Sequence, residues 1–96
     1  DMFLGVPFNI ASYSFLTHIL AKHCNLRAKK FVHIIGDAHI YESHIEAASK
    51  QVIRLPVLAP TLSISEELQD IDHISEDMFE IHDYLSYPKI EAPMIA

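Results

Sequence analysis

The chain has 96 residues, which is enough for one domain at most. Half of the residues are apolar, 21% are charged and one is cysteine, so the composition excludes a disordered tail, a coiled coil, an internal disulfide framework and a four-cysteine zinc site. The net charge of −6 argues against binding along a DNA duplex. The charge is unevenly distributed, since residues 1–54 carry 6 basic and 4 acidic residues, whereas residues 55–96 carry 1 basic and 9 acidic residues. An anionic ligand is therefore expected nearer the first half of the chain.

The first predicted element is a long helix that starts after Gly5 and Pro7 and ends near Asn25. No Asp, Glu, Lys or Arg occurs from residue 2 to residue 21, but the polar residues in this stretch and the early proline argue against a transmembrane span. Apolar residues at helical spacing form two stripes, which predicts a buried helix. A chain of this size cannot easily cover both stripes, so we expect the chain to be a piece of a longer protein.

The single thiol, Cys24, falls at the end of this helix. The negative end of a helix dipole disfavours a thiolate, so Cys24 is predicted to be a small buried residue and not a nucleophile.

Residues 31–41 alternate with period two and predict a strand. One face is predicted to be core and carries Val32, Ile34, Gly36, Ala38 and Ile40. The other face ends in Asp37, His39 and Tyr41, which places a ring nitrogen and a phenol two residues apart. Both groups can form a hydrogen bond with a ligand hydroxyl, although a wet strand edge explains them as well.

A second helix is predicted from the capping-box spacing of Ser43 and Glu46, and Pro56 ends it. Its buried stripe is predicted to be Ile45, Ala48 and Val52, and Glu46 and Lys50 are expected to pair on its exposed face. An extended linker follows at 56–60, then a short strand at 61–65, an acidic loop with at most one helical turn at 65–77 and a last strand at 78–84. Helices and strands mix without a βαβ rhythm, which indicates an α+β fold.

Two features bear on ligands. The histidine pairs His18/His23 and His39/His44 are five residues apart, whereas helical zinc pairs are four apart, so no metal site is predicted. Asn9 is the one amide in an apolar helix start, and its donor and acceptor suit a pyrimidine edge with a carbonyl beside an N–H. A buried amide that bonds to backbone is the alternative.

Four runs of the sequence together resemble the thymidylate synthase family. They are DMFLGVPFNIASY at residues 1–13, FVHIIGDAHIY at 31–41, HIE at 44–46 and YPKIEAPM at 87–94. The first two runs are highly specific, and the resemblance extends over the whole chain at nearly continuous spacing. By this resemblance, residues 1–96 are the C-terminal portion of a single thymidylate synthase domain.

The resemblance implies that the complete enzyme is a methyltransferase. It would convert dUMP to dTMP with 5,10-methylenetetrahydrofolate as carbon donor and reductant, leaving dihydrofolate. The family's cysteine nucleophile is not expected in this chain, so residues 1–96 should hold no catalytic residue and be inactive alone. The implied fold is α+β, with a twisted, mostly antiparallel or mixed sheet and a long buried helix. The implied protein is a cytoplasmic homodimer, with nuclear or mitochondrial pools left open, that uses no metal and binds neither DNA nor a membrane.

The resemblance also implies roles for individual residues. Asn9 would bind the uracil edge, His39 and Tyr41 the 3′-hydroxyl of the deoxyribose, and Ile40 would line the same site. Asp1 would belong to both sites, because it would bind the folate pterin and lie beside the nucleotide. The other folate contacts would be Leu4, Gly5, Phe8 and the backbone of Ile95, through which the tail would close over the folate.

Two other functions stay open. A pyrimidine hydroxymethylase of the same superfamily would add water where the synthase adds hydride, and Asn9 favours uracil over cytosine in either enzyme. A non-catalytic nucleotide-binding or dimerising remnant is the alternative from another class.

Overall fold

The computed structural model describes residues 1–68 and 70–95. Helix α1 spans Val6–His23 and follows Gly5, with Pro7 in its first turn, where a missing N–H removes no helical hydrogen bond. Asn25 ends the helix in the left-handed region at φ 52°, a conformation that asparagine tolerates better than most residues. The predicted helix and its predicted end are confirmed.

Most of α1 is not covered by this chain. Ile19 is its buried residue, whereas Phe8 is 72% exposed and Tyr13, Leu16 and Leu20 are also exposed. The burial predicted for the helix is therefore not reached within these residues. The two-stripe pattern explains why, since one short chain supplies a surface for only part of a helix that is apolar almost all round.

The second half of the chain forms a small antiparallel sheet. Strand β1 spans Thr61–Ile64 and strand β2 spans Phe79–His82, with Thr61 opposite His82 and Ile64 opposite Phe79. The sheet meets α1 where the rings of Phe15 and Phe79 lie 4.8 Å apart. The two strands predicted in this half of the chain and the α+β class are confirmed, and each of these strands is shorter than predicted.

The segment between the strands contains two short 3₁₀ turns, at Ile71–His73 and Glu76–Met78, where one helical turn was predicted. Part of that predicted loop, Gln69, lies outside the described residues.

The strand predicted at residues 31–41 is wrong. The segment is irregular with a bend at Gly36 and Asp37, and every residue in it is exposed, including the predicted core face, where Ile34 is 87% exposed. A strand exists only when its backbone groups pair with a neighbour. The described residues provide one such bond, from the Met2 amide to the His39 carbonyl, and no partner strand.

The second helix begins differently from the prediction. A 3₁₀ turn at Glu42–His44 leads into helix α2, Ile45–Val52, and no side chain caps either. The predicted capping box is wrong because Glu46 turns to Lys50, whose Nζ donates to its Oε1 at 2.6 Å. That ion pair was predicted and is confirmed.

The buried stripe predicted for α2 is also wrong. Ile45 and Val52 are exposed, Ala48 is half-buried, and the buried residues are Ala47 and His44. Residues three apart share one face of a helix, so the inward face is the one that carries the histidine.

Three further observations concern the described residues. Cys24 is exposed, so its predicted burial is wrong. No helix among residues 1–68 and 70–95 is long and apolar enough to cross a membrane. The same residues contain no group of three or more His, Cys, Asp or Glu side chains arranged to hold a metal ion.

Candidate functional site

Among residues 1–68 and 70–95, the most deeply buried side chain is an imidazole. His44 is 0% exposed, and it lies among side chains and backbone from both ends of the chain. Its Nε2 lies 2.7 Å from the carbonyl oxygen of Pro93, and since a carbonyl only accepts, Nε2 is the donor. Its Nδ1 lies 3.7 Å from Oδ1 of Asp1 and has no hydrogen-bond partner within the described residues.

Two aromatic rings surround this imidazole. The ring centroid of Phe3 lies 5.7 Å from that of His44, and the ring of Tyr41 meets it edge-on at 5.4 Å. We call these residues the His44 cluster: Asp1, Phe3, Tyr41, His44 and Pro93. The cluster joins the N-terminal segment, the start of α2 and the tail, which are far apart in sequence.

The Asp1 carboxylate organises the approach to α1. Its Oδ1 accepts hydrogen bonds from the backbone amides of Phe3 at 3.0 Å and Leu4 at 3.1 Å. The Asp1 backbone carbonyl accepts from the Val6 amide at 2.9 Å, which fixes the first turn of the helix. Gly5 lies against this turn so closely that a Cβ there would be 3.0 Å from the Asp1 carbonyl oxygen.

The side chains predicted to bind a sugar hydroxyl lie together even though their segment is not a strand. The rings of His39 and Tyr41 meet edge-on with centroids 5.2 Å apart. The Met2 amide donates to the His39 carbonyl oxygen at 2.8 Å, so this pair is joined to the segment that holds Asp1. An Asp37 carboxylate oxygen lies 3.6 Å from Nδ1 of His39.

An open groove runs beside this cluster. Its volume is about 490 Å³ and it is lined by Leu4 and by residues 89–93 of the tail. The Leu4 amide donates to Asp1 and the Pro93 carbonyl accepts from His44, so the groove shares Pro93 with the cluster and is bonded to it through Leu4. A groove of this size is in the usual range for a small-molecule site.

The remaining predicted site residues are more loosely connected. Asn9 is exposed, not buried as its pattern predicted. Its backbone N–H donates to the Gly5 carbonyl within the helix start. Phe8, Ile40 and Ile95 are exposed, at 72%, 51% and 41%. The described residues therefore bring together Asp1, Leu4, Gly5, His39 and Tyr41, and leave Phe8, Asn9, Ile40 and Ile95 on the surface around them.

Three members of the cluster were not predicted as site residues, namely Phe3, His44 and Pro93. His44 was considered as a metal ligand only, and the burial of a histidine cannot be deduced from spacing when its neighbours are more than 40 residues away. The one available signal was that His44 begins the run HIE at 44–46 and Pro93 lies in the run at 87–94, both part of the resemblance.

Comparison with known proteins establishes the family of the chain. A family model described as thymidylate synthase matches residues 1–96. The chain belongs to the thymidylate synthase family. The resemblance in the sequence is thereby confirmed over its whole length.

Relatives with this name come from distant organisms. The thymidylate synthase of Staphylococcus haemolyticus is 52% identical over 94 residues and that of Saccharomyces cerevisiae is 46% identical over 94 residues. The bifunctional dihydrofolate reductase-thymidylate synthase of Paramecium tetraurelia is 49% identical over 94 residues. Each match covers 98% of this chain, but the chain spans only 29%, 31% and 20% of these relatives, respectively.

Family membership gives the exposed surfaces of α1 a reason. In a chain that spans about a third or less of its thymidylate synthase relatives, the surfaces that cover this helix need not lie within residues 1–96. The His44 cluster, by contrast, is formed by contacts among the described residues of this chain.

Proposed function

We propose that residues 1–96 are the C-terminal portion of a single thymidylate synthase domain. The full-length protein would be a methyltransferase that converts dUMP to dTMP with 5,10-methylenetetrahydrofolate and releases dihydrofolate. The proposal is supported by family membership and by the length of the relatives. The folate, when bound, supplies the one-carbon unit and the hydride, and the residues of this chain bind and orient.

The nucleotide side of the proposed site comprises Asp1, Asn9, His39, Ile40 and Tyr41. The Asn9 amide is exposed at the start of α1 and offers a donor and an acceptor to a uracil edge. The His39 ring nitrogen and the Tyr41 hydroxyl offer hydrogen bonds to the 3′-hydroxyl of the sugar. Ile40, between them in sequence, supplies an apolar wall.

The folate side comprises Asp1, Leu4, Gly5, Phe8 and Ile95. The groove beside Leu4 has both apolar and charged lining residues, which suit a flat, partly polar ring system, and the Leu4 amide connects it to the Asp1 carboxylate. Asp1 accepts from two amides through Oδ1, which leaves Oδ2 available as an acceptor for pterin N–H groups. Gly5 has no side chain to obstruct this approach.

The nucleophile of the reaction lies outside this chain in our proposal. Cys24 is exposed at the C-terminal end of α1, where the dipole disfavours a thiolate, and it belongs to none of the contacts around Asp1 or His39. We also propose that the full-length protein is a homodimer that uses no metal. The exposed apolar residues of α1 are compatible with further subunit or domain contacts.

A single observation carries the proposal: the Met2–His39 hydrogen bond of 2.8 Å joins the segment proposed to bind folate to the segment proposed to bind the nucleotide. Methyl transfer requires both ligands within bonding distance of each other, and this contact brings their proposed sites together.

The test compares the full-length protein with Cys24→Ser and with residues 1–96 alone. We expect dTMP from the full-length protein and from Cys24→Ser at similar rates, and none from residues 1–96. A fluorinated dUMP should form a covalent adduct with a cysteine other than Cys24. An adduct at Cys24 would contradict the proposal, as would a hydroxymethyl product, which would favour the hydroxymethylase.

A further inference from the structure

We propose that His44 is a positioning residue that links the Asp1 carboxylate to the tail, so that folate binding and the ordering of the tail depend on each other. The inference rests on the proposed function, because Asp1 and Ile95 contact folate only under that proposal. The inference goes beyond the proposed function because it assigns a role to His44, which has no proposed ligand contact of its own. That role is to couple folate binding to the ordering of the tail.

The first step of the argument is the hydrogen bond to the tail. His44 Nε2 donates to the Pro93 carbonyl at 2.7 Å, and although Pro93 itself is exposed, the imidazole is fully buried, so the donor side of the bond is shielded from competing water. After Pro93 the chain is exposed to solvent, with Met94 86% exposed and Ile95 also exposed. The bond therefore fixes the position of Pro93, the residue after which the exposed end of the tail begins.

The second step is the unpaired nitrogen. His44 Nδ1 is buried, has no partner among residues 1–68 and 70–95, and lies 3.7 Å from Asp1 Oδ1. Buried nitrogens of this kind are normally paired. Because Nε2 carries the donated proton, Nδ1 of the neutral imidazole is an acceptor, and it faces Oδ1 of Asp1, which also only accepts. The contact between Nδ1 and Oδ1 is therefore sensitive to any movement of the Asp1 carboxylate. The same Oδ1 is held by the amides of Phe3 and Leu4, and Leu4 lines the groove.

The third step is the rigidity of the ring. Phe3 and Tyr41 pack against the imidazole, so it cannot turn freely between its two neighbours. A ligand in the groove that displaces Leu4 or Asp1 changes the environment of Nδ1. Because the imidazole is rigid, a shift of the ring at Nδ1 also shifts Nε2 and its hydrogen bond to the Pro93 carbonyl. Ordering of the tail shifts Nδ1 relative to Asp1 through the same ring.

The test uses the full-length protein and two substitutions. His44→Phe keeps the aromatic contacts with Phe3 and Tyr41 and removes both nitrogens. His44→Gln keeps a donor near the position of Nε2. We expect His44→Phe to raise the KM for folate by about five- to tenfold, the size of one lost hydrogen bond, with dUMP affinity within about twofold of the parent. His44→Gln should recover part of the loss.

The decisive measurement repeats His44→Phe in a protein that lacks residues 94–96. Because the truncated protein is expected to form little dTMP, its folate affinity is measured by direct titration in the presence of dUMP. If His44 acts through the tail, the substitution should change this affinity little. An equal loss in intact and truncated proteins would show a merely structural role and overturn the inference, as would a large loss of dUMP affinity.

Two further outcomes are informative. If His44→Phe does not fold, His44→Gln is compared with His44→Asn, whose amide ends near Nδ1. The glutamine variant should then have the lower folate KM, and equal values would overturn the inference. A parent protein that forms no dTMP would instead refute the proposed function, and the inference with it.

Discussion

The backbone amide of Met2 donates a hydrogen bond to the carbonyl oxygen of His39 across 2.8 Å. This bond crosses 37 residues of sequence and is the direct backbone link between the helix start and the segment at 31–41. Because it uses main-chain atoms, substitutions at either side chain leave it in place. Side-chain roles on the two sides of the site can therefore be tested separately.

The sugar contacts are tested by His39→Ala and Tyr41→Phe in the full-length protein. Each substitution removes one proposed hydroxyl contact worth about 0.5–1.5 kcal/mol, so each should raise the KM for dUMP by tenfold at most. Steady-state kinetics with dUMP as the varied substrate measures the effect. A loss confined to kcat, with unchanged dUMP affinity, would move these residues from binding to the chemical step.

Base recognition is tested by Asn9→Asp. The amide suits uracil, whereas a carboxyl group can accept from the amino group of cytosine, so the variant should discriminate less between dUMP and dCMP. Mismatched base edges typically cost about 1–3 kcal/mol, which sets the scale of the change. The ratio of kcat/KM for the two nucleotides is the measurement. If the ratio keeps its parental value, Asn9 does not read the base.

The tight turn at Gly5 is tested by Gly5→Ala, with Gly36→Ala as the matched control. An added Cβ at Gly5 would lie 3.0 Å from the Asp1 carbonyl oxygen and 3.4 Å from the Asp1 Cβ, whereas nothing lies within 4 Å of one at Gly36. Overpacking of this kind costs about 1–3 kcal/mol, so Gly5→Ala should weaken folate binding by displacing Asp1. Equal folate affinities in the two variants would show that the Asp1 position is not critical.

The tail is tested by deleting residues 94–96, of which Ala96 lies outside the described residues. Ordering a short apolar tail costs entropy unless it covers a surface, which we propose to be the bound folate. The deletion should leave dUMP binding nearly intact, weaken folate binding and remove most dTMP formation, because closure excludes water from the reacting carbon. Separate titrations of dUMP and folate, with product analysis, measure these effects. Unchanged turnover would mean that the tail is only a frayed end.

Helix α2 has a pH dependence with a defined sign. Lys50 donates a hydrogen bond to Glu46 and, with its charge, holds the pKa of Glu46 below the ordinary carboxyl value. Since the pKa is lower in the folded state, the pair stabilises the fold above the unfolded pKa, and this contribution is lost as the pH falls through the folded pKa.

Glu46→Gln should therefore lower the urea midpoint of unfolding slightly near neutral pH, as expected for an exposed pair, and the difference from the parent should vanish at strongly acidic pH. Lys50→Gln serves as the control and should behave in the same way at neutral pH. A difference that persists unchanged at acidic pH would show that Glu46 acts through something other than its charge.

Local features of this fold could be predicted from the sequence. The long helix at Val6–His23 and the strands at Thr61–Ile64 and Phe79–His82 follow from the spacing of their own apolar residues and from Asn25 at the helix end. The pairing of Glu46 with Lys50 is likewise a relation between residues one turn apart. The contact between His39 and Tyr41 was predicted for the wrong reason, since the two rings meet without a strand.

The failures concern contacts at long range. Alternation at 31–41 indicates only that a segment can be a strand, and whether it becomes one depends on a neighbour that these residues do not supply. The inward face of α2 is set by His44, whose burial depends on Asp1, Phe3 and Pro93. No periodicity within the helix contains that information, so the predicted stripe at Ile45, Ala48 and Val52 was wrong.

The unpaired segment at 31–41 has a consequence for handling this piece in isolation. Residues 31–35 read FVHII, a run rich in β-formers and free of proline and formal charge, and such runs are the ones that cross-β fibrils recruit. Lys29 and Lys30 precede the run and Asp37 follows it, the arrangement of gatekeeper charges that oppose stacking of like segments. In this chain on its own, colloidal stability at moderate salt therefore depends on three charged side chains at the borders of a five-residue run.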